Sequence, residues 1–239
     1  MYYEINEQVA SDVQAAASED AGLRERVRAL VMRALVDRQT DPEAVKSVLR
    51  SALAGIDGGL AQRGEAAGAA VREAVKGMDE AVARSVYAMQ MALEEAWEQG
   101  REFAETDAKE AMDSMQELED DLLSTLKNAA DDTRGWMQEE FTGLAAHLAR
   151  TGTDTGAQVR DVMQRFNNRV TSVVKGSGAD VMTAANVSRS RLSEMTSGIL
   201  RGLADALDAR AGKADSDSAR RNTTADDTDN DTGNDKVND

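Results

Sequence analysis

The sequence predicts an all-α protein, in which one elongated amphipathic helix assembles into a right-handed coiled coil, with a short helical segment before it and a disordered tail after it. Three observations support this fold class. Aromatic residues make up 3% of the 239 residues and there is 1 proline, whereas strong helix formers are abundant. Apolar residues recur at every eleventh position from Leu49 to Leu203. Residues 211–239 contain a single branched aliphatic side chain, Val237.

Composition excludes several kinds of site and partner. The chain has 0 cysteines and 1 histidine, so disulfides, thiolate zinc sites and sites that need two imidazoles are impossible. A formal net charge of -16 argues against nucleic-acid binding, because the phosphate backbone repels such a surface. We also expect too few large side chains for a compact core, whereas a rod needs only a narrow buried seam.

The first element is a segment of two short helices in residues 1–40. These helices are expected at Tyr3–Ser18 and Leu23–Arg38. The second is the most basic amphipathic stretch of an acidic chain, and its candidate contact residues are Arg24, Arg28 and Arg33. Two interpretations stay open. The basic helix packs back on the acidic start of the rod as a cap, or it binds a membrane surface or a protein partner.

The main element is a rod over residues 41–210, which begins with Asp41 as the helix cap and Pro42 in the first helical position. Every eleventh residue of the rod is apolar, and we predict that these side chains form the seam of a homo-oligomer. They are Leu49, Leu60, Val71, Val82, Leu93, Ala104, Met115, Leu126, Met137, Leu148, Val159, Val170, Val181, Leu192 and Leu203.

The spacing explains why a rod is expected. Eleven residues in three turns correspond to about 3.67 residues per turn, so the apolar stripe runs nearly straight and supercoils gently to the right. Two further positions in each unit, at a 4-3-4 spacing, lie on the same face, and Glu119 is the one charged residue in this frame. A single helix of this size would be about 250 Å long. It would need a neighbour to cover its seam.

Two parts of the rod form helix poorly. Residues 55–77 are rich in glycine, which predicts close packing against another helix. Residues 151–156, Thr-Gly-Thr-Asp-Thr-Gly, are either a turn that folds the rod into a hairpin or a soft point in a continuous helix. We favour the continuous helix, because the eleven-residue count is kept from Leu148 to Val159 and a loop has no reason to keep it.

No motif carries recognisable catalytic chemistry, so we predict a protein that is not an enzyme and that has no cofactor or metal site. His147 is interpreted as a histidine on a helix surface. Residues 227–233 look like a calcium-binding loop, but the glycine is one place late and the closing glutamate is missing. Trp97 and Trp136 are candidate contacts for an apolar surface, although Trp97 also lies in the seam frame.

The 4-3-4 frame from Val45 to Leu207 resembles the hendecad-repeat coiled-coil proteins of bacteria, which form right-handed bundles or barrels. More loosely, the Ala-, Met- and Glu-rich stretch at residues 88–97 is similar to phasins, which coat polyhydroxyalkanoate granules, although no signature stretch of that family is present. The first resemblance implies a self-associating structural or scaffold protein. The second implies an amphipathic coat on a storage granule or lipid surface. Glu119 in the seam differs from a lipid-facing helix, and we favour self-association.

The start of the chain has no basic residues followed by an apolar run, so we expect no signal peptide. The apolar stretches are shorter than the roughly 20 residues that span a bilayer, and no transmembrane segment is expected. These features predict a cytoplasmic protein.

Overall fold

The computed structural model describes residues 2–19, 22–36, 38, 41–98, 105–176, 196–198, 201–202 and 205, and these residues form helices and short connections without a strand. The α-helices are α1 Tyr2–Ser18, α2 Leu23–Leu35, α3 Pro42–Leu60, α4 Gly68–Glu98, α5 Glu105–Asp132, α6 Trp136–Thr151 and α7 Asp154–Gly176. The 3-10 turns Ala61–Arg63 and Glu65–Ala67 connect α3 to α4. The all-α prediction is confirmed, and the predicted tail lies outside the described residues.

The chain turns at two glycines, so the prediction of one continuous helix over residues 41–210 is wrong. Gly64, between α3 and α4, has a φ of 69°, and Gly135, between α5 and α6, has a φ of 66°. A positive φ lies in the left-handed region, which glycine enters without steric cost and which ends a right-handed helix. The rod is therefore divided into shorter helices that pack on one another.

α1 packs parallel to α3 across a face lined by glycine. A Cβ atom added at Gly55 would lie 2.5 Å from the Ala10 carbonyl oxygen, and one added at Gly59 would lie 2.6 Å from the Ala17 Cβ. Because the contacts advance together along both helices, the two helices point the same way. The prediction that the glycine-rich stretch receives a closely packed helix is confirmed, and that helix comes from the same chain.

α5 runs parallel to α3 on another side. Near the start of α3, Lys46 Nζ lies 3.3 Å from Asp121 Oδ1. Just beyond the end of both helices, the Trp136 indole N–H donates to the Ala61 carbonyl oxygen at 3.4 Å. The turn at Gly135 then sends α6 back along α5.

α6 and α7 follow α4 in a common direction. Arg72 Nη1 lies 3.0 Å from Glu140 Oε2 near the start of α4 and α6. Further along α4, Gln158 of α7 donates from Nε2 to Gln90 Oε1 at 2.9 Å. Since both partners advance along α4, the chain keeps its direction through residues 151–156. The hairpin considered for this stretch does not occur there, although the helix is interrupted.

The seam residues of the described helices lie in one core. Those that are buried are Leu49, Leu60, Val71, Val82, Leu93, Met115, Leu126, Met137 and Val159, and Leu148 packs against them while half-buried. Ala104, Val170, Val181, Leu192 and Leu203 lie outside the residues whose side chains the structure describes. The surfaces that cover the buried residues belong to the same chain. Burial of the seam therefore does not require a second molecule, as the continuous rod would have done.

Aliphatic side chains and methionine fill this core. It consists mainly of Ala, Val, Leu and Met, with Phe141 as a fully buried aromatic residue. The expectation that a compact core lacks enough large side chains is wrong, because glycine and alanine let helices approach until small residues fill the space between them. None of the helices in the described part of the chain is long and apolar enough to cross a bilayer.

Candidate functional site

A buried polar cluster lies where α6 passes into α7. This α6–α7 junction consists of residues 152–156 together with Asp79 of α4 and Glu119 of α5. Gly152, with a φ of 85°, follows the end of α6. Thr153 and Thr155 are 4% and 0% exposed. The stretch that the sequence marks as a weak helix is thus a junction packed against two other helices.

Two side chains cap the start of α7. The Thr153 hydroxyl accepts a hydrogen bond from the Gly156 N–H at 2.8 Å, as an N-cap threonine does. Asp79 accepts from the Asp154 N–H through Oδ2 at 2.8 Å and from the Thr155 N–H through Oδ1 at 3.0 Å. The first N–H groups of a helix have no acceptor inside it, and a negative charge is favourable there. Asp79 therefore supplies a cap from a distant helix.

The Thr155 hydroxyl strengthens the same contact. It lies 2.8 Å from Asp79 Oδ1 and 3.1 Å from the Asp79 carbonyl oxygen, so its proton is shared between the two acceptors. The Asp79 side chain thus faces three donors although the residue is only 3% exposed. A buried carboxylate is tolerated when its oxygens are hydrogen-bonded in this way.

The environment of Asp79 changes its acidity. Burial raises the pKa of Asp79 above its ordinary value, and the nearby charge of Asp154 acts in the same direction. The hydrogen bonds from the backbone N–H groups of Asp154 and Thr155 and from the Thr155 hydroxyl lower the pKa but do not cancel the effect of burial. The carboxyl group is held by backbone donors, which favours a structural role.

Glu119 occupies the other side of the junction. The Thr153 hydroxyl donates to Glu119 Oε1 at 3.1 Å. A Cβ atom at Gly156 would collide with the Glu119 carboxylate, so the absence of a side chain at Gly156 makes room for it. The one charge in the seam frame is therefore a polar contact between α5 and the start of α7.

Beside Asp79, Glu80 binds two arginines of α2. Arg24 Nε donates to Glu80 Oε1 at 3.0 Å, and Arg28 Nη1 donates to Glu80 Oε2 at 2.9 Å. Burial alone would raise the pKa of Glu80, but the hydrogen bonds and positive charges of Arg24 and Arg28 outweigh it, and the pKa falls below its ordinary value. α2 thus packs back on α4. This arrangement agrees with the first of the two interpretations of the basic helix, in which it packs back on the chain that follows it.

Asp121 is a second buried acid, on the face of α5 that meets α3. Its Oδ1 pairs with Lys46, whereas its Oδ2 is buried without a hydrogen-bond partner. Burial raises the pKa of Asp121, although the charge of Lys46 opposes the shift. An incompletely satisfied buried carboxylate costs stability when it is ionised.

These contacts fix helices relative to one another. Asp79, Glu80 and Glu119 each join two helices, and within the described residues no group of three or more His, Asp or Glu side chains is arranged to hold a metal ion. His147 is exposed on α6.

The residues predicted to contact a partner lie in different environments in the structure. Arg24 and Arg28 are engaged with Glu80, whereas Arg33 is exposed on α2. Trp136 is half-buried against the core. The side chain of Trp97 and the calcium-like loop at 227–233 lie outside the described residues. A partner role for Arg33, Trp97 and Trp136 stays a prediction.

Asp79 is the junction residue that the sequence does not reveal. It directly follows Met78, which lies in the apolar 4-3-4 frame, and its acceptor role depends on N–H groups 75 residues further along the chain. The sequence does mark the rest of the junction, because Glu119 is a charge in an apolar frame and residues 151–156 form helix poorly.

Comparison with known proteins gives one match. No curated protein and no solved structure matches this chain. Residues 4–209 match the profile of DUF6781, which is described as a family of unknown function. The match begins within α1 and includes α2 to α7 with the α6–α7 junction, and the chain belongs to this family.

Proposed function

We propose that this chain is a non-enzymatic cytoplasmic scaffold protein that associates with copies of itself through its helices. The observation that carries the proposal is the incomplete burial of α6. Leu144 and Leu148 are half-buried, whereas the seam residues of α3 are fully buried. Apolar surface left at the edge of a core favours association with a further apolar surface.

An open groove between α5 and α6 supports the same proposal. Its lining is mainly apolar and includes Leu123, Ala130, Ala145, Ala146 and Ala149. Small side chains along two antiparallel helices suit the approach of another helix. The groove has charged residues only along its α5 side, so it suits a helix better than a small polar ligand.

The buried acids support the non-enzymatic part of the proposal. Asp79 is occupied by the first N–H groups of α7, and Glu80 is occupied by Arg24 and Arg28. A general acid or base must be able to reach a proton on a substrate, and these groups are committed to contacts between helices.

The alternative is an amphipathic coat on polyhydroxyalkanoate granules or lipid surfaces. The eleven-residue frame would allow it, because the seam positions share one face of each helix. In the described helices these residues are covered by other helices, so a coat would require the bundle to open. We therefore rank the coat second.

The two functions are separated by measurements on the full-length chain. We expect circular dichroism to show a helical protein that melts cooperatively. We expect sedimentation and light scattering to give a multiple of the monomer mass at micromolar concentration. Neither result should change when phosphatidylcholine vesicles or polyhydroxybutyrate particles are added. A monomer mass at every concentration would contradict self-association. A gain of helix that appears only with the particles would support the coat instead.

A further inference from the structure

The outer face of α6 is small and uncovered. Thr142, Gly143, Ala146 and Ala149 are exposed, on the side of the helix away from the buried Met137 and Phe141. A Cβ atom at Gly143 would meet nothing within 4 Å. Since glycine inside a helix is less favourable than alanine, the fold of one chain gives no reason for glycine at this position.

Two opposite charges flank this small face. Glu139 and Arg150 are exposed and lie eleven residues apart, which is three turns, so both project from the same side of α6. Neither has an ion-pair partner within the part of the chain that the structure describes. The acidic end and the basic end of the face are therefore both unpaired.

The order of these charges makes the face complementary to itself. If a second α6 lies antiparallel on the first, Arg150 of each copy comes beside Glu139 of the other, at both ends of the contact. A parallel arrangement would instead place like charges together. Between the charged ends, Thr142, Ala146 and Ala149 leave room for the two backbones to approach closely.

We infer that a second copy of this chain packs antiparallel on the outer face of α6, next to the open groove between α5 and α6. This inference rests on the proposed self-association and places one interface at the groove, because Thr142, Ala146 and Ala149 of this face also line it. The contact is isologous, because each copy contributes the same face, and it closes as a dimer.

The test is a charge swap in the full-length protein, followed by sedimentation equilibrium. Glu139→Arg alone or Arg150→Glu alone places like charges together at both ends of the contact, and we expect the dimer dissociation constant to rise about tenfold. The double variant, Glu139→Arg with Arg150→Glu, restores both pairs and should return close to the wild-type value. The matched control is Arg50→Glu, an exposed arginine on α3, which should leave association unchanged.

A second variant tests the close approach without changing charge. Ala146→Trp places a large side chain on an exposed position, so the monomer should keep the wild-type circular dichroism spectrum while the dimer is lost. If the wild type dimerises but neither Glu139→Arg nor Ala146→Trp weakens it, this interface is wrong while self-association stands. If the wild type is monomeric throughout, the proposed function fails and the interface fails with it. A double variant no tighter than the single ones would contradict the antiparallel pairing.

Discussion

Asp79 accepts hydrogen bonds from the first N–H groups of α7, although 75 residues separate it from Asp154. Thr155 contributes a backbone donor and a hydroxyl to the same carboxylate. Without it the Asp154 and Thr155 N–H groups would lose their acceptor, whereas the Thr155 hydroxyl would keep the Asp79 carbonyl oxygen. The stability of the α6–α7 junction therefore depends on this side chain as well as on the local sequence at residues 151–156.

Two replacements of Asp79 should destabilise the protein to different extents. Asp79→Asn keeps one acceptor oxygen and should lower the free energy of unfolding by about 1–2 kcal/mol, whereas Asp79→Ala should lower it by about 2–4 kcal/mol. Urea unfolding followed by circular dichroism measures both. Asp113→Ala, at an exposed position of α5, serves as the control and should change stability by less than about 0.5 kcal/mol. Equal effects at Asp79 and Asp113 would show that the cap contributes nothing.

Two acids should give opposite pH dependences. The pKa of Glu80 is lowered in the folded state, so its contribution to stability is present above its unfolded pKa and is lost as the pH falls through its folded pKa. The pKa of Asp121 is raised by burial, so the folded state loses stability as the pH rises from the unfolded to the folded pKa of that group.

The corresponding variants are Glu80→Gln and Asp121→Asn. Glu80→Gln should cost about 1.5–3 kcal/mol at neutral pH, and this cost should shrink in acid. Asp121→Asn should gain stability relative to the wild type as the pH rises through the acidic range. Urea unfolding at a series of pH values measures both differences. Parallel pH profiles for the two variants would contradict the assigned shifts.

At the scale of the helices, the eleven-residue frame predicts which residues are buried but not what buries them. Leu60 and Val71 are eleven residues apart, as neighbouring seam residues of a straight helix would be. Two 3-10 turns and Gly64 nevertheless lie between them. The count alone therefore cannot distinguish one long helix from several short ones. The stop signals were present, since Arg63 precedes Gly64 and Arg134 precedes Gly135, and a basic residue followed by glycine is typical of a helix end.

The junction was predictable only in part, for a related reason. Glu119 stands out because it breaks an apolar frame, and residues 151–156 stand out because they form helix poorly. Asp79 has no such mark, because its role arises from a contact between helices that local patterns do not encode. The all-helical class, by contrast, follows from composition, which is a property of the whole chain.

Alanine at two glycines should change stability in opposite directions. Gly77 lies against the Arg24 carbonyl, where a Cβ atom would collide, so Gly77→Ala should destabilise the packing of α2 on α4 by about 1–3 kcal/mol. Gly143 is helical and has open space around it, so Gly143→Ala should stabilise the monomer by about 0.5–1 kcal/mol. Unfolding in urea, at a concentration below self-association, measures both. A stabilising Gly77→Ala would mean that α2 does not pack here.

At the scale of the whole molecule, the important difference is between a bundle within one chain and a rod shared between chains. The bundle brings α4 beside α7, and Gln90 then contacts Gln158 within the same molecule. In a straight rod these residues would be about 100 Å apart at 1.5 Å per residue. The two architectures therefore differ in a distance that a crosslink can report.

The chain has 0 cysteines, so engineered cysteines have no native competitor for a thiol-reactive crosslinker. Gln90→Cys with Gln158→Cys should be joined within one chain by a short bismaleimide crosslinker, seen as a faster monomer band on a denaturing gel. Gln90→Cys with the exposed Gln164→Cys, farther along α7, is the matched control and should crosslink poorly. Mainly dimer bands from the first pair would favour exchange of helices between chains.

The capping of α7 by other helices also bears on the order in which structure forms. The N–H groups at the start of α7 find their acceptors only after α4 has been placed, and the Thr153 hydroxyl finds Glu119 only after α5 has been placed. α7 should therefore consolidate late in folding and be among the first segments to fray when the middle of the molecule loosens. The integrity of α7 is therefore conditional on the placement of α4 and α5, which come earlier in the chain.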